Sequence, residues 1–174
     1  RLAGEGYLTL AENRGAKVAS MDLGAMRIFF QTAPLIYSSI ARLAAEHRTP
    51  AQLEALKAVQ VRFAQAVAGT DAQAMALNNH RFHEIIGEMA HNDYLMASLR
   101  RLLIDHTRLG QMFYRPAAPV ENMAVLKASQ QHDAMIAAIE AGETGVITDL
   151  TLQHWDLSRD RMERFVRPDP LPLD

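Results

Sequence analysis

The sequence predicts an all-α protein: an antiparallel bundle of six, possibly seven, helices preceded by a short β-hairpin. From residue 22 to about residue 166, apolar residues recur at the spacing of helix faces. The breaks between these segments are short and carry capping residues, proline or glycine. Strand signals occur only in the first 20 residues. A chain of 174 residues is long enough to bury the core of one such domain.

The first 20 residues form a separate unit. Residues 7–10 (YLTL) and 16–19 (AKVA) are predicted as short strands around Asn-Arg-Gly at 13–15, a turn in which Asn and Gly tolerate positive φ. Twenty residues cannot bury a core of their own. Because the chain also opens on Arg1 in the middle of a pattern, we expect residues 1–20 to be the end of a larger domain.

The helical part is expected to be one domain over residues 21–167, followed by a proline-rich, extended or disordered tail at 168–174. Asp22, Thr49 (followed by proline) and Asn92 are predicted N-caps, and a loop is expected over RPAAP at 115–119. The predicted helices cover about 22–47, 50–68, 72–90, 93–114, 121–141 and 144–166.

Composition excludes several classes of protein. A net charge of -2 does not indicate a nucleic-acid binder over the chain as a whole. The absence of cysteine excludes disulfides and thiolate ligands, and no apolar run approaches the 18 residues of a membrane span. With no signal peptide visible, a cytoplasmic location is expected.

One helix offers a pair of candidate metal ligands. Asn79 and His83 are four residues apart, so both side chains can reach one atom. His132 in the fifth helix and His154 in the sixth could bring two more imidazoles to the same point, because bundles build metal sites from inward side chains of several helices. Neutral imidazole suits Zn, Ni, Cu and Fe. Histidines that serve only as surface or hydrogen-bonded core residues remain the alternative.

The sequence motifs of several enzyme classes are incomplete or absent. His83-Glu84-Ile85-Ile86 begins like a zinc-protease HExxH helix, but Gly87 stands where the second ligand is required. No glycine-rich phosphate loop or nucleophile elbow is present. No enzyme is therefore expected. Two alternatives stay open: a metal-dependent enzyme using the same three histidines, and a metal-free dimerisation module whose fourth helix carries a coiled-coil-like apolar face.

Four stretches, in order along the chain, resemble one family, the GntR-type bacterial transcription regulators of the FadR subfamily. The opening 20 residues resemble the end of a winged helix-turn-helix, from the recognition-helix tail through the wing. The other stretches are RLAAEHRTPAQLEAL, NNHRFHEIIGEMAHNDYL and SQQHDAMIAAIEAGE, the last with His154 downstream. Together they cover nearly the whole chain.

The resemblance implies a dimeric ligand sensor attached to an operator-binding domain. In this family an Asp or Asn and three histidines commonly hold a divalent metal, which helps to bind a small carboxylate effector. Carried over, the ligands are Asn79, His83, His132 and His154, and a transition metal such as Zn or Ni is implied.

The chain departs from the family pattern at two positions. Asn79 replaces the usual aspartate, so a bound dication would lack a charged ligand and an anionic effector would have to compensate it. Ala33, followed by the unusual Pro34, stands where many members carry an arginine for the effector carboxylate.

Other residues could take over these roles. Arg101, Arg108 and His106 on the fourth helix are candidate effector contacts, although the arginines could equally belong to a solvated face. The resemblance places Arg14 and Gly15 of the wing near DNA, with a plain hairpin turn as the alternative.

Overall fold

The computed structural model of the chain describes residues 8–11, 15–18, 22–115 and 119–166. Over these residues the fold is a two-stranded hairpin followed by six α-helices, which confirms the predicted helical bundle. The strands are β1 (Leu8–Ala11) and β2 (Gly15–Val18). The helices are α1 (Leu23–His47), α2 (Pro50–Ala68), α3 (Ala72–Met89), α4 (Asp93–Phe113), α5 (Pro119–Ala141) and α6 (Thr144–Val166).

The hairpin lies close to its predicted position, but each strand is displaced by one residue toward the turn. β1 and β2 are antiparallel, with Leu8 opposite Val18 and Ala11 opposite Gly15. Gly15 has a φ of 76°, a left-handed conformation that glycine adopts without a steric cost and that lets the strand begin immediately after the turn. Arg14 and the tail at 168–174 lie outside the described residues.

Three helices begin directly after the N-cap residues predicted from the sequence. The side chain of Asp22 accepts a hydrogen bond from the backbone N–H of Ala25 at 2.8 Å. Thr49 and Gln52 form a reciprocal capping box at the start of α2. Asn92 accepts from the N–H of Leu95 at the start of α4. Each cap satisfies a donor that the first helical turn would otherwise leave unpaired.

α5 begins at Pro119, two residues before its predicted start. The sequence predicts Pro119 as the last residue of the loop at 115–119, and the structure places it in the helix. The first turn of a helix tolerates proline, because an N–H at that position has no partner within the helix and the fixed φ suits helical geometry.

The core of the bundle is centred on α1, which packs against α3, α4, α5 and α6, while α2 packs against α3 and α5. A large apolar cluster extends through these helices, and a second, smaller one lies around Phe63 and Phe113. None of the described helices has both the length and the apolar character required to cross a bilayer.

Two local features of the packing bear on the site. Pro34 lies inside α1 and has no N–H, so the carbonyl of Phe30 lacks its helical donor although the helix continues to His47. In α3, a Cβ on Gly87 would overlap the Leu99 side chain and come within 2.8 Å of Met96 Sδ. Glycine at this position therefore leaves room for the Leu99 and Met96 side chains of α4 against α3.

Candidate metal and effector site

Three histidines from three helices meet inside the bundle. His83 of α3, His132 of α5 and His154 of α6 each offer a ligand atom, and these atoms all lie within 4.8 Å of one another. The rings of His132 and His154 are 4.7 Å apart, and the His83 ring lies 5.8 and 5.6 Å from them. All three side chains are buried. The structure thus brings together the three imidazoles that the sequence proposed as ligands.

Asn79 lies one turn before His83 on α3 and is also buried. Its Oδ1 has no hydrogen-bond partner, and neither have Nε2 of His83 and Nε2 of His132. Leaving a buried polar atom unpaired costs about 1–3 kcal/mol. Three such atoms in one small region indicate a place where a bound group completes the contacts.

Two glutamine side chains orient two of the histidines. Nδ1 of His132 lies 3.0 Å from Oε1 of Gln60, and Nδ1 of His154 lies 3.0 Å from Oε1 of Gln131. An amide oxygen only accepts, so each Nδ1 carries the proton and donates it. The lone pair is therefore on Nε2, which in His132 is the atom without a partner.

The amide of Gln60 is itself fixed. Its Nε2 donates to the carbonyl oxygen of Ser129 at 2.9 Å, to Ser129 Oγ at 3.1 Å and to Asp133 Oδ1 at 3.0 Å. Three acceptors on one side leave Oε1 facing His132. Neither Gln60 nor Gln131 was predicted from the sequence. The signal for Gln60 is that it is a polar residue on the apolar face of α2, between Leu56 and Phe63.

The cluster is held in the neutral form. Burial, reinforced by the neighbouring histidines, lowers the pKa of His83 and His132 well below the usual value. Burial also lowers the pKa of His154 to about 4. At neutral pH these imidazoles are unprotonated, which is the state that binds a metal.

His106, predicted to contact an effector, lies beside this cluster. Its ring is 5.2 Å from that of His83, and its Nδ1 is 2.7 Å from the hydroxyl of Tyr37. Burial lowers the pKa of His106 to about 3, so it is also neutral. Tyr37 of α1, which the sequence analysis did not single out, packs edge-on against His83 at 5.2 Å.

Arg101 and Arg108, the other predicted effector contacts, are partly exposed and lie next to an acidic side chain. Arg101 contacts Asp105 at 2.9 Å and Arg108 contacts it at 3.5 Å, and their side chains are 50% and 37% exposed. Their assignment to the effector remains a prediction. Ala33, at the position where the resemblance implies an arginine, is fully buried, so the position faces the interior but carries no charge.

Aromatic rings enclose the cluster. Phe82 stacks on His132 with ring centroids 3.9 Å apart, and Phe63 lies 4.9 Å from the same ring. Trp155 packs against Tyr37 and His106 at 5.8 and 5.9 Å. The donor set thus comprises three imidazoles and one amide oxygen in apolar surroundings, with no carboxylate among them. Such a set suits a divalent transition metal.

Comparison with known proteins agrees with this architecture. A family model described as the FCD domain matches residues 32–157. The fold is similar to E. coli McbR/YncC, with a TM-score of 0.81 and 14% identity over 96% of this chain and 77% of that one. It is similar to Streptococcus agalactiae GntR, with a TM-score of 0.65 and 20% identity over 92% of this chain and 77% of that one.

A third similar structure comes from work stating that Lar controls expression of the Listeria monocytogenes agr system. Its TM-score is 0.68 and its identity 16%, over 94% of this chain and 75% of that one. Curated protein sequences give no match.

The fold and the matched family define a ligand-sensing regulatory domain built as a helical bundle. The chain belongs to the FCD domain family, and its resemblance to FCD-containing regulators of the GntR type is confirmed.

Proposed function

We propose that the chain is the metal-dependent effector-sensing domain of a GntR-type transcription regulator of the FadR subfamily. The observation that supports this is the convergence of His83, His132 and His154, of which His83 and His132 leave Nε2 unpaired, as Asn79 one turn away leaves Oδ1 unpaired. A divalent transition metal, Zn or Ni, would be held by these four residues and would satisfy the three unpaired atoms.

The ligands of the proposed metal are all neutral, and this indicates an anionic effector. A dication held only by neutral ligands in a buried site keeps its full charge, which is costly away from water. A small carboxylate that binds next to the metal would compensate it. In this proposal the domain senses the carboxylate and releases it unchanged.

Regulation would operate through a homodimer that binds operator DNA. In this proposal residues 1–20 are the end of the winged DNA-binding domain, with Arg14 and Gly15 near the DNA. A bound effector shifts the equilibrium between two dimer arrangements only by its differential affinity for them. The spacing of the two recognition helices on a palindromic operator would report that shift.

Metal analysis tests the proposal. After incubation with zinc or nickel and extensive dialysis, the protein should retain about one metal per chain, because three inward imidazoles form a structural or sensing centre. His83→Ala and His132→Ala should each lose it. The matched control His47→Ala removes a half-exposed histidine near the end of α1 and should keep the metal.

Two other results would favour the alternative functions. If the wild type binds no metal, the metal-free dimerisation module becomes the better explanation. Chemical conversion of a carboxylate probe by the metal-loaded protein would instead favour the metal-dependent enzyme.

A further inference from the structure

The unpaired atoms of the site are of two kinds. Among the described residues, four buried side-chain atoms lack a hydrogen-bond partner: Asn79 Oδ1, His83 Nε2, His132 Nε2 and Trp155 Nε1. The first three can present lone pairs, which a cation satisfies. The indole nitrogen is a donor only, and no cation can satisfy it. A bound metal alone therefore leaves the site incomplete, and an acceptor is required as well.

The indole lies next to the histidines. Trp155 directly follows His154 on α6 and is 4% exposed. It packs against Tyr37 and His106, and each of those rings lies 5.2 Å from the ring of His83. The indole and His83 thus border the same two rings, Tyr37 and His106, on one side of the histidine triad.

A second donor is available at the same place. Tyr37 and His106 share one hydrogen bond of 2.7 Å. If the hydroxyl donates to Nδ1, the remaining proton of His106 is on Nε2; if Nδ1 donates, the hydroxyl proton is left over. In either tautomer, one N–H or O–H of the pair is not used in the bond between Tyr37 and His106.

We propose that Trp155 Nε1 donates a hydrogen bond to the effector, and that the effector is a compact dicarboxylate. This rests on the proposed metal-dependent function. One carboxylate binds at the metal, and the second accepts from the indole N–H and from the donor left over by Tyr37 and His106. A dication with neutral ligands carries two buried positive charges, and a dicarboxylate brings that total to zero.

Trp155 is the single tryptophan of the chain, so its indole N–H gives one isolated cross-peak in a ¹H–¹⁵N correlation spectrum. In zinc-loaded protein we expect saturating succinate to move the indole proton downfield, because hydrogen bonding deshields it. Butyrate, which has the same chain length but one carboxylate, should leave it nearly unchanged. An indole resonance that stays in place at saturating succinate, or a failure of succinate to bind the zinc-loaded protein, would overturn the proposal.

Trp155→Phe tests the same contact by affinity, because phenylalanine keeps an aromatic ring and removes the N–H. Calorimetry should show succinate binding weakened about tenfold, toward the affinity of butyrate, with the zinc content unchanged. The control Tyr94→Phe removes a hydroxyl from a residue that is 90% exposed and should change neither value.

The outcomes separate the two proposals. If the wild type binds no zinc, the metal-dependent sensor itself fails. If zinc binds and Trp155→Phe holds succinate as tightly as the wild type, only the role of the indole is wrong. The spectrum of the wild type does not depend on how well the variant folds.

Discussion

Two adjacent segments of α3, residues 79–83 and 86–89, both contribute buried side chains but satisfy them very differently. In the polar segment, 79–83, Asn79 and His83 each leave a polar atom without a partner. In the packed segment, 86–89, Ile86 and Met89 are buried among apolar side chains, and a Cβ on Gly87 would overlap the Leu99 side chain. One helix therefore carries both unsatisfied polar side chains and a closely packed apolar contact.

This difference shows where the stability of the domain originates. Unpaired buried atoms near His83 reduce the stability of the metal-free protein, and close packing beyond Gly87 contributes the stability that makes the site possible. Residues that serve a ligand commonly reduce the stability of the free protein. The comparison can be tested by perturbing the polar segment, then the packed segment, and then Gln60, which contacts a histidine of the site.

Acidification should have the largest effect, and it acts on the polar segment and on the histidines of the other helices that surround it. The folded pKa of His154 is about 4 and that of His106 about 3, and burial also lowers the pKa of His83 and His132. In the unfolded chain histidine titrates near 6.5, so below that pH the unfolded state binds more protons. Stability of the metal-free protein should fall from pH 6.5 toward pH 4, by about 1.4 kcal/mol per pH unit for each such histidine.

Urea unfolding at a series of pH values, with chelator present, measures this slope. The contribution of one histidine can be isolated: His154→Asn should reduce the slope by about 1.4 kcal/mol per pH unit. A free energy of unfolding that is constant between pH 6.5 and 4 would mean that these imidazoles are not buried and neutral.

Gly87→Val should have the next largest effect, and it acts on the packed segment. The added side chain would overlap the Leu99 and Met96 side chains, which must repack within a buried contact, at a cost of up to about 3 kcal/mol. Thermal or urea unfolding measures the loss. Gly110→Ala is the control, because a Cβ there meets Tyr114 at an ordinary 3.6 Å and helix propensity favours alanine by about 1 kcal/mol. A Gly87→Val protein as stable as the wild type would contradict the close packing of Leu99 and Met96 on Gly87.

Gln60→Met should have the smallest effect on folding and a clear one on the metal. Methionine fills a similar volume but cannot accept from His132 Nδ1, so the ring is no longer held with Nε2 inward. Zinc affinity, measured by competition with a chromophoric chelator, should fall about 10- to 100-fold. Gln65→Met on the exposed face of α2 is the control. Equal zinc affinities for the two variants would mean that Gln60 does not orient the ligand.

The fold could be predicted closely because its signals are local. Asp22, Thr49 and Asn92 cap helices within three residues of their own positions, and apolar spacing within each segment marks the buried face. The bounds of the two strands were each displaced by one residue toward the turn, because Gly15, with its positive φ, already pairs with Ala11 as the first residue of β2.

The site could be predicted only in part. Asn79 and His83 are related by one helical turn. His132 and His154 were proposed because bundles build metal sites from inward side chains of several helices, and the resemblance implied the same four residues. Tyr37, Gln60 and Trp155 were missed because their contacts join helices far apart in the chain, such as Gln60 with His132, 72 residues away. Periodicity shows that such a residue faces inward, but not which side chain it meets there.

Pro34 makes the bending stiffness of α1 uneven along its length. The missing hydrogen bond lies at Phe30, and Phe29 and Phe30 both pack against Trp155. Displacement of the indole would thus push on α1 where it is easiest to bend. From Pro34 to Leu23 the helix is a lever of roughly 16 Å, so a bend of about 5° would move its first residue by about 1.4 Å. A motion too small to disturb the core would be magnified at the end of the helix that follows the hairpin.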